Sequence, residues 1–229
     1  MVNRYSITTD AQQVAKRFSL DVPDGYKPNF NAAPTQLLPV ITQGSQGISF
    51  FYWGATPAWA NKKSLGEKIV NAALEVLDEK PVMRKKMKTH RCLIPADGYY
   101  AWKRIGKRST IPYRLTLQDK EPFAIAGLWE EYDDENGDRF HTFSMITTLA
   151  NDSVVPIDSR MPVILDPQHE TRWLSEDHDE GLVEMLKAYN PTLYHYSVSP
   201  MINSPDRNDR TLVLPAPASD QYGNLTLFD

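Results

Sequence analysis

The side chains best suited to proton transfer or metal binding are five histidines: His90, His141, His169, His178 and His195. No two of them fall at HExxH or HxH spacing, so no metal site is expected. His178 stands inside Glu176-Asp177-His178-Asp179-Glu180 and reads as part of a solvated helix face. His141 lies on an alternating stretch. His90 closes a basic run, where it could contact phosphate or simply face solvent. The single cysteine, Cys92, sits in the apolar run Cys-Leu-Ile-Pro, where nothing would activate a thiolate, and reads as a small buried core residue. No dinucleotide-binding, Walker or GxSxG motif occurs, and no cofactor is expected. What remains is positive charge beside aromatic rings. Arg84, Lys85, Lys86, Lys88 and Arg91 are followed by Lys103, Arg104, Lys107 and Arg108, with Trp59 and Trp102 nearby in the chain. A positive groove with stacking aromatics is what single-stranded nucleic acid requires. A solvated helix and turn would produce the same pattern.

The elements that must position these residues are mostly short strands. Thr9-Asp10-Ala11-Gln12 has the form of a capping box, with Val14 and Phe18 at i and i+4, so a helix is expected over 9–19. Residues 29–35 read as a loop. Leu37 to Ile41 and Ile48 to Trp53 form a hairpin around a Gly-rich turn, and WGATPAW (53–59) is a bent loop. GYYAWK (98–103), PYRLTL (112–117), PFAIAGLW (122–129) and RFHTFSMITT (139–148) read as strands joined by polar turns. Such a succession argues for an antiparallel sheet closed on itself. Short helices are expected near 167–174 and 178–188, then a strand from Tyr194 to Val198 and a Pro-rich tail. The fold class expected is α+β: one domain, a predominantly antiparallel, barrel-like β core and peripheral helices. The domain is expected to span 1–205, with 206–229 as a C-terminal tail.

Composition narrows the function. The 229 residues include 25 basic and 29 acidic side chains, a net charge of −4, which argues against an extended nucleic-acid coat while leaving room for a local basic patch. About 70% of the unfolded chain's surface can be buried at this length, so no disulfide or metal staple is needed. One cysteine fits a reducing compartment. No membrane-length apolar run and no signal-peptide layout occur, so a soluble, cytoplasmic protein is expected.

Several blocks occur in a fixed order across most of the chain. They are Arg4-Tyr5; Phe30-Asn31-Ala32-Ala33-Pro34; Trp53-Gly54-Ala55-Thr56-Pro57-Ala58-Trp59; Asn71-Ala72; and Pro81 with Arg84. Then come Arg91 through Tyr100 (RCLIPADGYY) with Trp102-Lys103, Pro112-Tyr113, Ala126-Gly127-Leu128-Trp129, Phe143 through Thr148 (FSMITT), and Arg160-Met161-Pro162. In this order the chain resembles the SRAP family, the SOS-response-associated peptidases, whose best-known members are abasic-site processing proteins. The resemblance implies a compact β-rich domain with a positive groove for single-stranded DNA and a part in the DNA-damage and SOS responses. It also implies self-removal of Met1 to expose an N-terminal cysteine. The amine of that cysteine condenses with the ring-opened aldehyde of an abasic sugar, and its thiol closes a stable thiazolidine. An asparagine, a glutamate and a histidine support the chemistry, and arginines hold the flanking phosphates.

The departures fall on these positions. Where the family opens Met-Cys-Gly-Arg, this chain reads Met1-Val2-Asn3-Arg4. Asn71 is kept, but the arginine two residues later is Ala73. Ala101 stands in place of the glutamate and Asp158 in place of the histidine. Valine has no thiol, alanine cannot shuttle protons, and an aspartate is less suited than a histidine to proton transfer near neutral pH. The binding equipment implied by the resemblance remains: Arg4, Asn71, Arg84 and Arg160 toward backbone and sugar, Trp59 and Pro34 as apolar surfaces for bases. Arg160 could instead pair with Asp158, and Trp59 and Pro34 could be loop core. Three readings follow: a protein that binds single-stranded or abasic-site DNA without the stable crosslink, an active crosslinking enzyme, and a non-catalytic interaction module.

Overall fold

The computed structural model describes residues 1–54, 70–77, 79, 81–133, 137–175 and 181–226, with Tyr132 described by its backbone alone. Trp59, His178 and most of the 53–59 loop lie outside the described residues.

Among the described residues, the alternating segments form twelve strands in two sheets. One sheet is open and antiparallel, in the order β12 (Leu193–Ser197), β8 (Ser109–Leu117), β7 (Gly98–Ile105), β1 (Tyr5–Ile7) and β2 (Asn29–Ala32). The other closes on itself. β4 (Ser49–Trp53), β3 (Leu37–Thr42), β6 (Arg91–Ala96), β9 (Phe123–Asp133) and β10 (Arg139–Leu149) run in that order, and β10 pairs back onto β4. The result is a five-stranded barrel, which leaves no edge along those strands. Two further strands, β5 (Asn71–Ala73) and β11 (Arg160–Pro162), add to the later half of β10. The pairing is antiparallel apart from β10 with β4 and with β5. The α+β class and barrel-like core expected from alternation are what the chain adopts.

Among the described residues, four short α-helices lie around this core: α1 (Ala11–Phe18), α2 (Pro81–Thr89), α3 (Glu170–Leu174) and α4 (Leu182–Ala188). Two expectations need correction. Residues 29–32 are a strand, not loop: their backbone groups find partners on β1, with Tyr5 opposite Ala32. The cap of α1 is Asp10, which accepts from the Gln13 N–H at 2.9 Å. Thr9 does not cap because its hydroxyl donates to the buried Asp97 carboxylate, 3.1 Å away. Asp97 also pairs with Arg114 at 2.9 Å, and Gly98 makes room for that pair. A Cβ at Gly98 would meet the guanidinium at 2.8–2.9 Å.

The basic run is the helix α2. Met83 and Met87, at i and i+4, are buried, and Arg84, Lys85 and Lys88 face solvent. Arg91, fully buried, follows it. Its guanidinium donates to the carbonyls of Met87, Lys88, Trp173 and Ser175, joining the last turns of α2 and α3 to the barrel. The buried core holds Trp53 stacked on Phe143, with centroids 6.2 Å apart, and Tyr5 of the open sheet edge-on to Trp53 at 5.3 Å. Cys92 is buried, and burial raises its thiol pKa far out of the reactive range. Residues after 205 return to the open sheet: Leu212 packs on Tyr100, and buried Asn31 donates to the carbonyls of Ile202, Ser204 and Arg207.

Candidate functional site

Strand β10 organises the site. In its second half it pairs on one side with β5, setting Asn71 opposite Met145. On the other side it pairs with β11, setting Arg160 opposite Leu149. Asp158 comes two residues before Arg160, in a turn held by its own N–H on the Val154 carbonyl at 3.1 Å. The N-terminal residues reach the same region from the open sheet. Beyond β1, the Arg4 carbonyl accepts from the Tyr100 N–H at 3.1 Å, so the chain continues along β7 in the direction of Ala101.

Val2, 3% exposed, belongs to the main core cluster together with Ala101. The Asn71 side-chain amide donates to the Val2 carbonyl at 2.8 Å, closing a link between residues 69 apart in sequence. The Met1 ammonium stands 3.8 Å from an Asp158 carboxylate oxygen, a contact open to solvent on the ammonium side. The places of Val2, Asn71 and Asp158 thus converge. Ala101 lies on β7 two residues from Tyr99, on the same face of that strand. Burial first, and then the charge of Asp158, raise the pKa of the Tyr99 phenol, which is therefore a neutral donor close to the site.

Among the polar atoms buried here without a hydrogen-bond partner are the Asn71 amide oxygen and the Tyr99 hydroxyl. Leaving such groups unpaired costs about 1–3 kcal/mol each, so both are disposed to accept a hydrogen-bonding guest. Tyr99 was read only as part of a strand, because its hydroxyl acquires meaning from Asp158, far away in sequence.

The binding residues are more scattered. Arg4 is half-buried, donates to the Asn3 carbonyl at 2.7 Å, and has its pKa lowered by burial. Pro34 is half-buried in the turn between β2 and β3. Arg84 is exposed on α2, which packs on β6 and β9. The pairing of Arg160 with Asp158 needs correction. The Asp158 carboxylate accepts from the Arg160 backbone N–H at 3.2 Å, whereas the guanidinium turns to Glu75, with contacts of 2.9 and 3.3 Å. The strand geometry sends the long side chain across β10 toward β5, beyond reach of a carboxylate two residues back. Glu75 was missed; it sits in the apolar segment Ala72-Ala73-Leu74-Glu75-Val76, which gives no sign of a partner.

Among the described residues, no cluster of three or more His, Cys, Asp or Glu side chains could hold a metal ion. No described helix is long and apolar enough to cross a membrane.

The family model for the SOS response associated peptidases matches residues 1–205. The chain belongs to the SRAP family. Relatives agree along their whole length. The abasic site processing protein YoqW of Bacillus subtilis is 36% identical, over 93% of this chain and 99% of its own. YoaM of the same organism, also named an abasic site processing protein, is 35% identical over 93% and 97%. A solved structure of a protein from Bacteroides thetaiotaomicron superposes with a TM-score of 0.81 at 27% identity, covering 93% of this chain and 99% of that one. The family match and the superposition thus cover most of this chain.

Proposed function

We propose that this SRAP protein binds single-stranded or abasic-site DNA and does not form the stable thiazolidine crosslink. The observation that carries the reading is the state of position 2. Val2 is packed into the core and tethered through its carbonyl to Asn71, with two methyl groups where a thiol would be needed. A thiazolidine needs an amine and a thiol on adjacent carbons. An α-amine alone can attack the aldehyde carbon and, with loss of water, give an imine that water reverses. Ala101 brings no proton-transfer group, and Asp158 faces the N-terminal ammonium as a counter-ion. Binding is supported by the kept Asn71 with its unpartnered amide oxygen, by the unpartnered Tyr99 hydroxyl, and by the cations Arg4 and Arg84.

Intact-mass measurement, on the protein alone and after incubation with an abasic-site oligonucleotide, tests this. The expected result is one unshifted protein mass under denaturing conditions. A mass increased by that of the oligonucleotide, without added reductant, would contradict it.

A further inference from the structure

Arg160 lies two residues after Asp158, and its guanidinium is already filled from within the protein. The two oxygens of Glu75 take its fork at 2.9 and 3.3 Å, and the Thr147 carbonyl accepts from the same group at 2.8 Å. Hydrogen bonds hold the carboxylate in turn. Partial burial works to raise the Glu75 pKa, but the bonds from Arg160 and from the backbone N–H groups of Glu75 and Leu149 outweigh it, and the pKa lies below the usual range. A carboxylate and a phosphate present the same pair of acceptors to a guanidinium. We propose that Glu75 is a resident competitor for the phosphodiester of single-stranded nucleic acid at Arg160, so that Glu75 sets the affinity of this part of the surface.

The pair is open enough for exchange. The Arg160 side chain is 22% exposed and the Glu75 side chain 43%. Ion pairs reached by solvent are worth little net stability, so a phosphate can displace the carboxylate at small cost. A displaced Glu75 side chain stays tethered at its place in the chain beside the incoming anion, and two negative charges then compete for one guanidinium. Arg160 therefore contributes less to phosphate binding while Glu75 carries its charge than once Glu75 is neutralised. The inference rests on the DNA-binding reading above and refines it.

Anisotropy titrations of a short labelled oligothymidylate over a range of salt concentrations test the two separately. Glu75→Gln should bind more tightly at low salt and steepen the slope of log affinity against log salt by up to about 0.7, the worth of one phosphate contact. Arg160→Gln should cancel that gain when combined with Glu75→Gln. Glu75→Ala, which cannot re-form the fork, should act in the same direction, with circular dichroism reporting the fold of each variant. Equal slopes for Glu75→Gln and the unmodified protein would overturn the inference while leaving DNA binding standing. So would a gain from Glu75→Gln that persists when Arg160→Gln is added. Binding by Glu75→Gln where the unmodified protein shows none would uphold the inference and sink the reading of the native protein. Absence of binding by both would overturn both.

Discussion

A thiol at position 2 is necessary for a thiazolidine and, in this site, not sufficient. Val2→Cys alone is expected to crosslink an abasic oligonucleotide far more slowly than the combination Val2→Cys, Ala101→Glu, Asp158→His, because proton-transfer groups are each worth about 10²–10⁴ in rate. Single-turnover crosslinking rates of the two variants measure this; equal rates would mean that positions 101 and 158 are not part of the chemistry. The structure adds a cost that the residue types alone do not reveal. Ala101 is 3% exposed, so a carboxyl placed there is pushed toward its neutral form by burial. That shift would suit an acid near neutral pH, but the variant should melt at a lower temperature than the parent. The family was legible from residue type and order, and the structure brings Val2, Asn71 and Asp158 together from distant parts of the chain. Tyr99 and Glu75 were not legible, because each matters through a partner that only folding brings near: the charge of Asp158 for one, the guanidinium of Arg160 for the other.

At the scale of elements, β10 does most of the positioning, since Asn71 and Arg160 are both set in register against it. Alternation in the RFHTFSMITT segment predicted the strand but not its four partners, because period-2 patterning names a buried face and not a neighbour. The α1 cap shows the same limit. Thr9 and Asp10 are both good caps by type, and the choice falls to Asp10 only because Asp97 captures the Thr9 hydroxyl. Arg91 belongs to this scale too. It read as one more cation of a basic run, yet it is fully buried and serves four backbone carbonyls at the ends of α2 and α3. Arg91→Met fills similar volume and leaves those carbonyls without donors, each a loss of about 1–3 kcal/mol where water cannot replace the bond. Urea unfolding should register a total of at least about 3 kcal/mol, with the loss shared by α2 and α3. A change below about 1 kcal/mol would mean that water takes over the carbonyls.

Over the whole molecule, a closed barrel joined to an open sheet brings the N-terminal residues, β5 and the turn before β11 to one place, from positions as distant as Val2 and Asp158. The family model matches residues 1–205, and the Asn71 side chain holds the backbone of Val2. The central claim is that this frame is retained without the stable covalent chemistry. A denaturing gel of the unmodified protein with an abasic-site oligonucleotide, run with and without borohydride, tests it most directly. The account predicts no shifted band without borohydride, and with it at most a weak band from a reduced imine. A strong, heat-stable shifted band without borohydride would contradict it.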